Sequence, residues 1–262
     1  MSLYFEFLKK AFQERYAYRF DFYASIVGNI VGLFIQISVW TALFQNSPSQ
    51  IISLSQMLSY TLISSLILTL TTSRISEQLS EKIANGNIMM DFLRPISLKA
   101  FFLADGFGRN VSQTIFATLP ALVFGVIFMN IQFTVSFVTL VYFFISLVFA
   151  ILIAFYFHYI VGLFSFWLET TWYIRFFSGA IIQLFSGATV PLWFYPDWLY
   201  RISAILPFRL IFFDPISIYL NQQGNRNVFQ ILFFQVTWIC FFWCLERVVW
   251  KFVKKKVVIH GG

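Results

Sequence analysis

The run FVTLVYFFISLVFAILIAFYFHYIVGLF, from Phe137 to Phe164, holds 28 consecutive residues without Asp, Glu, Lys or Arg. As a helix rising about 1.5 Å per residue it exceeds the ~30 Å hydrocarbon core of a bilayer. The surrounding chain has the same character: 59% of its 262 residues are hydrophobic, 21% aromatic and only 11% charged. A soluble domain carries about 25% charged residues. A soluble fold of this composition would expose large apolar patches, which soluble monomers rarely do. Lipid is therefore the expected solvent.

Outward from that run, further spans are expected at about Phe22 to Phe44, Ile51 to Thr72, Val111 to Met129, Phe176 to Thr189 and Val228 to Trp250. The expected fold is an all-α membrane protein of six transmembrane helices, one transmembrane domain over residues 1–262. Pro120 is expected to kink the third span. Gly28 and Gly32 form a GxxxG pair in the first, a pattern that lets another helix approach closely. Residues 1–20 place Leu3, Phe7, Leu8, Ala11 and Phe12 on one side, which suits an interfacial amphipathic helix. Lys9, Lys10, Arg15 and Arg19 interrupt that segment, so it is not expected to be a cleavable signal peptide.

The connectors are unequal. Residues 73–110 form the longest polar stretch, and residues 191–227 are neither a normal span nor a normal loop. The latter carries Pro191, Pro196, Pro207 and Pro215 among aromatic residues. Prolines at that density forbid one continuous helix, so a broken half-helix hairpin between spans five and six is expected. Its irregular backbone must be covered by protein or reach water. With the N-terminus inside, the cytoplasmic segments hold fifteen Lys and Arg residues, and the opposite side holds Arg201, Arg209 and Arg226. The positive-inside bias sets both termini in the cytoplasm.

Several classes of chemistry are missing. The net charge of +7 flanks apolar runs instead of forming a stripe on a folded face, so no nucleic-acid partner is expected. The sequence has no GxxxxGK[ST] phosphate loop, GxSxG elbow, HExxH helix or CxxC pair. No catalytic, cofactor-binding or metal-binding residue is therefore assigned. Cys240 and Cys244 read as small apolar residues of one helix. His158, in the fourth span, reads as a structural residue. It lies near the cytoplasmic end of that span, and the middles of the six spans carry no Asp, Glu, Lys or Arg, against the pattern of ion-coupled transporters.

The order of these parts resembles the membrane subunit of type 2 ATP-binding-cassette (ABC) exporters. It is most similar to the bacterial six-span permeases that work as a pair with a separate ATPase. The first block carrying the resemblance is IANGNIMMDFLRP, Ile83 to Pro95, with Gly86, Leu93, Arg94 and Pro95 diagnostic. The second is FSGATVP, Phe185 to Pro191, followed by Phe194, Pro196, Trp198, the Leu206–Pro207–Phe208 turn, and the Asp214–Pro215 step with Ile218 and Tyr219.

The resemblance implies that residues 73–110 form a cytoplasmic coupling region docking on the ATPase. Leu79, Ile83, Gly86, Met89, Met90, Leu93, Arg94 and Pro95 are its expected contacts. Gly86 is expected to end one helix there and Pro95 the next. Glu169 and Arg175 are implied as secondary contacts. Pro191, Phe194, Pro196, Trp198, Pro207 and Phe208 are implied to gate or line the outer exit. The implied partners are two copies of the ATPase, which binds ATP and Mg, a second six-span permease, related or identical, and membrane lipid. The implied location is a bacterial plasma membrane. The implied activity is ATP-driven export of an amphipathic drug, peptide or lipid-like substrate. Two other readings remain open. One is a scaffold or immunity protein that only binds a partner. The other is a lipid-modifying enzyme built on Asp197, Arg201, Arg209 and Asp214.

Overall fold

The computed structural model describes residues 19–46, 51–92, 97–129, 136–168, 172–224 and 227–261, and every regular element among them is helical. In chain order these are α1 (Arg19–Asn46), α2 (Leu54–Thr71), α3 (Ile75–Ala84), α4 (Ile88–Phe92), α5 (Leu98–Gln113) and α6 (Leu119–Met129). After them come α7 (Phe137–Leu163), α8 (Trp172–Phe185), α9 (Asp197–Ile205), α10 (Phe213–Leu220) and α11 (Val228–Gly261). The expected interfacial helix over residues 1–20 lies outside the described residues apart from the start of α1.

Among the described residues, five segments are long and apolar enough to cross a bilayer: Tyr23–Gln45, Leu54–Ala84, Leu98–Ile127, Phe137–Phe166 and Val228–Lys256. Their composition makes the chain an all-α, multi-pass membrane protein. The expected fifth span differs in kind. Its helix, α8, has 14 residues, about 21 Å at 1.5 Å each, short of the ~30 Å core.

The third crossing also differs from expectation. It starts at Leu98, so Lys99, Asp105 and Arg109 belong to the long helix and not to a loop. Arg109 is held to Asp105 one turn before it and to Gln78 of α3 at 3.1 Å. The expected kink takes the form of a π-turn, Thr114–Thr118, just ahead of Pro120. Proline donates no hydrogen bond and crowds the preceding turn. A widened turn is a common way for a helix to absorb such a misfit.

The axis of the bundle is α7, which touches α2, α3, α8, α10 and α11. Ala150, Ile153 and Leu163 on it are fully buried. At its far end Gly162 lets α3 come close, because a Cβ there would stand 3.0 Å from the Ser76 Cα. A second, smaller core joins α1, α2 and α6 through Leu33, Ile37, Leu58, Leu62 and Ala121.

The proline-rich segment folds as a short 3-10 turn (Leu192–Phe194), then α9, a second 3-10 turn (Pro207–Leu210) and α10. Its two halves are buried very differently. Residues Pro207 to Ile218 lie in the main core, whereas Trp198 and Ile205 on α9 are 64% and 76% exposed. Irregular backbone inside a membrane protein needs internal partners, and three buried polar side chains supply them. The Tyr60 hydroxyl donates to the Gly187 carbonyl at 2.7 Å, and Ser64 donates to that of Ala188 at 2.6 Å. Gln235 of α11 bridges the Ser146 and Leu210 carbonyls at 3.0 and 2.9 Å. Gly187 itself has φ +80°, a conformation that favours glycine, and a Cβ would meet the Tyr60 hydroxyl at 3.1 Å.

Candidate functional site

Three features stand out on this frame: the tip joining α3 to α4, the broken hairpin, and a cleft between α1, α2, α7 and α8.

The tip grows from an amphipathic helix. On α3, Ile75 and Leu79 face inward and join Ile88, Phe102, Tyr159, Leu163, Val249 and Val253 in one core cluster. Leu79 is fully buried, so that expected contact is taken by the chain's own core and is closed to a partner in this conformation. Ile83 is half-buried at the edge of the same cluster. Gly86, at φ +72°, turns the chain after α3, as its place in the sequence implied. Lys82 on α3 and Asp91 on α4 close the turn with an ion pair of 2.5 Å. That closure leaves Met89 and Met90 at the apex, 36% and 62% exposed. Two unbranched apolar side chains on a polar, ion-paired turn form an adaptable knob. Leu93, Arg94, Pro95 and Glu169 lie outside the described residues. The backbone of Arg175 belongs to α8.

The hairpin divides its expected gate residues. Phe208 is buried edge-on against Phe157 of α7 at 5.0 Å, and Pro207 is buried beside it. Pro191 is buried too. Phe194 stacks on Trp40 of α1 at 5.6 Å, while Pro196 and Trp198 are exposed. The buried members hold the hairpin in the bundle, and only the outer turn and α9 present a surface.

Arg209 and Asp214, two residues of the suggested enzyme cluster, are engaged with each other. The guanidinium donates to both carboxylate oxygens at 2.7 to 3.2 Å, with side chains 3% and 1% exposed. The Phe213 ring lies 5.2 Å from the guanidinium. A buried, bidentate pair of this kind is a structural tie. Asp197 and Arg201 are exposed on α9, away from that pair in burial and environment.

The cleft has a volume of about 540 Å³, within the ~300–1,000 Å³ usual for small-molecule sites. It runs along α2 and its end from Ser64 to Thr72, touching Ser76 of α3, Ala188 and Thr189 in the turn after α8, and Ile211 and Phe212 of the hairpin. Gly28, Asn29, Gly32 and Gln36 of α1 line it as well. A Cβ on Gly28 or Gly32 would have nothing within 4 Å, so within this chain the GxxxG pair packs no helix and opens space instead. His158 also lines the cleft. It is 7% exposed and its Nδ1 atom finds no hydrogen-bond partner among the described residues. The same holds for Asn29 Nδ2. Among the described residues, no Asp, Glu, Lys or Arg lines it.

Reading the sequence alone missed this cleft. Its signal was the density of Ser and Thr on α2, from Ser55 through Thr72, in an otherwise apolar helix. Such residues are ordinary in membrane helices, where they hydrogen-bond back to the helix itself.

No group of three or more His, Cys, Asp or Glu suited to a metal ion occurs among the described residues. Cys240 and Cys244 are free and exposed. No curated protein matches the chain. A family model described as ABC-2 family transporter protein matches residues 23–261. That match takes in the α3–α4 tip, the cleft and the hairpin together. The chain belongs to the ABC-2 family, as the multi-pass membrane permease of an ABC transporter.

Proposed function

We propose that the chain is the membrane subunit of an ATP-driven exporter that moves an amphipathic substrate out of the cell. It works as one of a pair of permeases, identical or related, with two copies of a separate ATPase that binds ATP and Mg. The membrane is a bacterial plasma membrane. Both termini lie in the cytoplasm, which turns the α3–α4 tip toward the ATPase and the hairpin toward the outside. One observation carries this reading. The cleft touches Ser76 of α3 and Ile211 and Phe212 of the hairpin, so one space adjoins both the element offered to the ATPase and the element at the outer mouth. A pure scaffold has no need of such a space.

The test acts on the tip. Met89 and Met90 are exposed, so replacing both with Asp leaves the chain's own packing intact. In an interface the same change buries unpaired charge, which costs several kcal/mol, and a few residues dominate such contacts. The Met89→Asp/Met90→Asp variant is expected to insert normally yet lose the copurifying ATPase. A matched Asn46→Asp/Ser47→Asp variant is expected to keep it. Retention of the ATPase by the Met89/Met90 variant would remove the coupling assignment.

A further inference from the structure

The last helix, α11, has 34 residues, about 51 Å at 1.5 Å each, which is longer than the ~30 Å hydrocarbon core. Its outward stripe is apolar for most of that length. Phe229, Phe233, Val236, Cys240 and Trp243 follow one another at steps of three and four residues, which puts them on one face. All five are exposed. The same steps carry the stripe on to Arg247, Lys251, Lys254 and Lys255, which are exposed as well. The other side of the helix is turned into the bundle, where Phe242, Glu246, Val249 and Val253 are buried. Glu246 is the one carboxylate in the α11 sequence, and Lys99 of α5 holds it inward at 2.9 Å. The helix therefore ends its lipid-facing stripe in four cations.

Their depth suits lipid headgroups. With Val228 at one edge of the core, Arg247 stands about 28 Å further along the axis, at the opposite edge. The three lysines stand at about 35 to 40 Å, in the headgroup layer. The Arg247 guanidinium lies 4.3 Å from the centre of the Trp243 ring, and tryptophan favours the same boundary. Side chains in line with the lipid-facing stripe point sideways into that layer, whereas a protein below the membrane would meet the helix end. A second copy of this chain would set these cations against their own kind, which disfavours that occupant. Anionic headgroups complement them in charge and in depth.

We propose that Arg247, Lys251, Lys254 and Lys255 form a binding face for anionic phospholipids in the leaflet at the C-terminal end of α11. The proposal goes beyond the exporter reading and rests on it only for calling that leaflet cytoplasmic. Lipid preference is measured on the full chain alone, in nanodiscs, where the orientation in a cell plays no part. It therefore fails separately from the Met89/Met90 test of the exporter reading.

The reporter is a fluorophore on Cys244, exposed three residues before Arg247, in a Cys240→Ser background. Brominated phosphatidylglycerol or brominated phosphatidylcholine, at equal mole fraction in phosphatidylcholine nanodiscs, quenches it on contact. The expected result is a preference for phosphatidylglycerol of about fivefold or more, the effect of one lysine near an anionic surface. The Lys251→Gln/Lys254→Gln/Lys255→Gln variant is expected to bring the two lipids close to equality, and the matching Lys→Arg variant to keep the preference. Inorganic phosphate is expected to weaken it no more than chloride of the same ionic strength, which separates a lipid headgroup from a free anion. The Gln variant is expected to keep its copurified ATPase. Lysines at a helix end also guide insertion, so where that variant fails to insert, Lys254→Gln alone replaces it. Equal quenching by both lipids in the wild type overturns the proposal, as does an unchanged preference in an inserted Gln variant. So does a loss specific to phosphate, or loss of the ATPase with lipid preference intact, which would give the face to a protein partner.

Discussion

Gly162 is where α3, the base of the α3–α4 tip, is keyed to the central helix, and lengthening its side chain tests that joint. An alanine Cβ would stand 3.0 Å from the Ser76 Cα, 3.1 Å from the Leu79 Cδ2 and 3.3 Å from the Leu79 Cβ. Carbon contacts are comfortable at about 3.5–4.0 Å. Leu79 can adjust its side chain, but the Ser76 Cα is main chain, so α3 must move as a body by about 0.5 Å. Overpacking of this order costs about 1–3 kcal/mol, and the better helix propensity of alanine returns about 1 kcal/mol. Gly162→Ala is thus expected to lower stability by about 0–2 kcal/mol. Gly162→Val adds two more carbons to the same contact, so its expected cost is about 3 kcal/mol or more. Thermal unfolding in nanodiscs measures the stability series. Because Met89 and Met90 are untouched, both variants are expected to keep the copurified ATPase but to lose substrate-stimulated hydrolysis, in the order Val beyond Ala. A valine variant that unfolds and couples like wild type would show that α3 is not held by this joint.

Removing Asp214 alone, as Asp214→Leu, leaves a buried guanidinium without its counter-ion and is expected to cost about 3–5 kcal/mol. The Arg209→Met/Asp214→Leu double variant is expected to recover most of that loss in thermal unfolding, whereas an essential catalytic pair would lose activity in both. For orientation, single cysteines at Ser47 and Gly224, in a background lacking Cys240 and Cys244, are expected to react with an impermeant thiol reagent added outside intact cells. One at Asn87 is expected not to react, and labelling there would reverse the orientation and the docking argument with it.

The apolar runs made the long helices legible, and Gly86 announced the turn after α3. Four prolines between residues 191 and 215 announced a broken segment. What the residues did not announce was how that segment is held. Tyr60 and Ser64 are two of many polar residues on α2 and Gln235 is one on α11, and their partners are backbone carbonyls up to 127 residues away. Hydropathy records that such a residue is present, not what it reaches. The apolar stripe of Ile75, Leu79 and Ile83 was ambiguous for a related reason. A 3.6-residue period shows that one face is covered, but α7 and a partner protein would leave the same pattern. Burial divides the stripe: Leu79 serves the core, and the exposed apolar character of the tip passes to Met89 and Met90.

Those internal bonds also decide which wall of the cleft is firm. The hairpin side is tied by Tyr60, Ser64 and Gln235, and the buried Arg209–Asp214 pair lies within it. The α2 wall belongs to the same body: 56% of the apolar window in Leu54–Ala84 is buried, against 11% of that in Tyr23–Gln45. The α1 wall meets the rest through Leu33 and Ile37 in the small second core, through Trp40 and Phe44 at the edge of the main one, and through Trp40 stacked on Phe194. Few buried apolar contacts mean a low free energy of local displacement. Moving the α2 wall would break buried hydrogen bonds to irregular backbone, each leaving a carbonyl without its partner. Gly28 and Gly32 on the α1 wall face open space. The firm side of the cleft is therefore the one formed by α2 and the hairpin, whose displacement would strand those carbonyls.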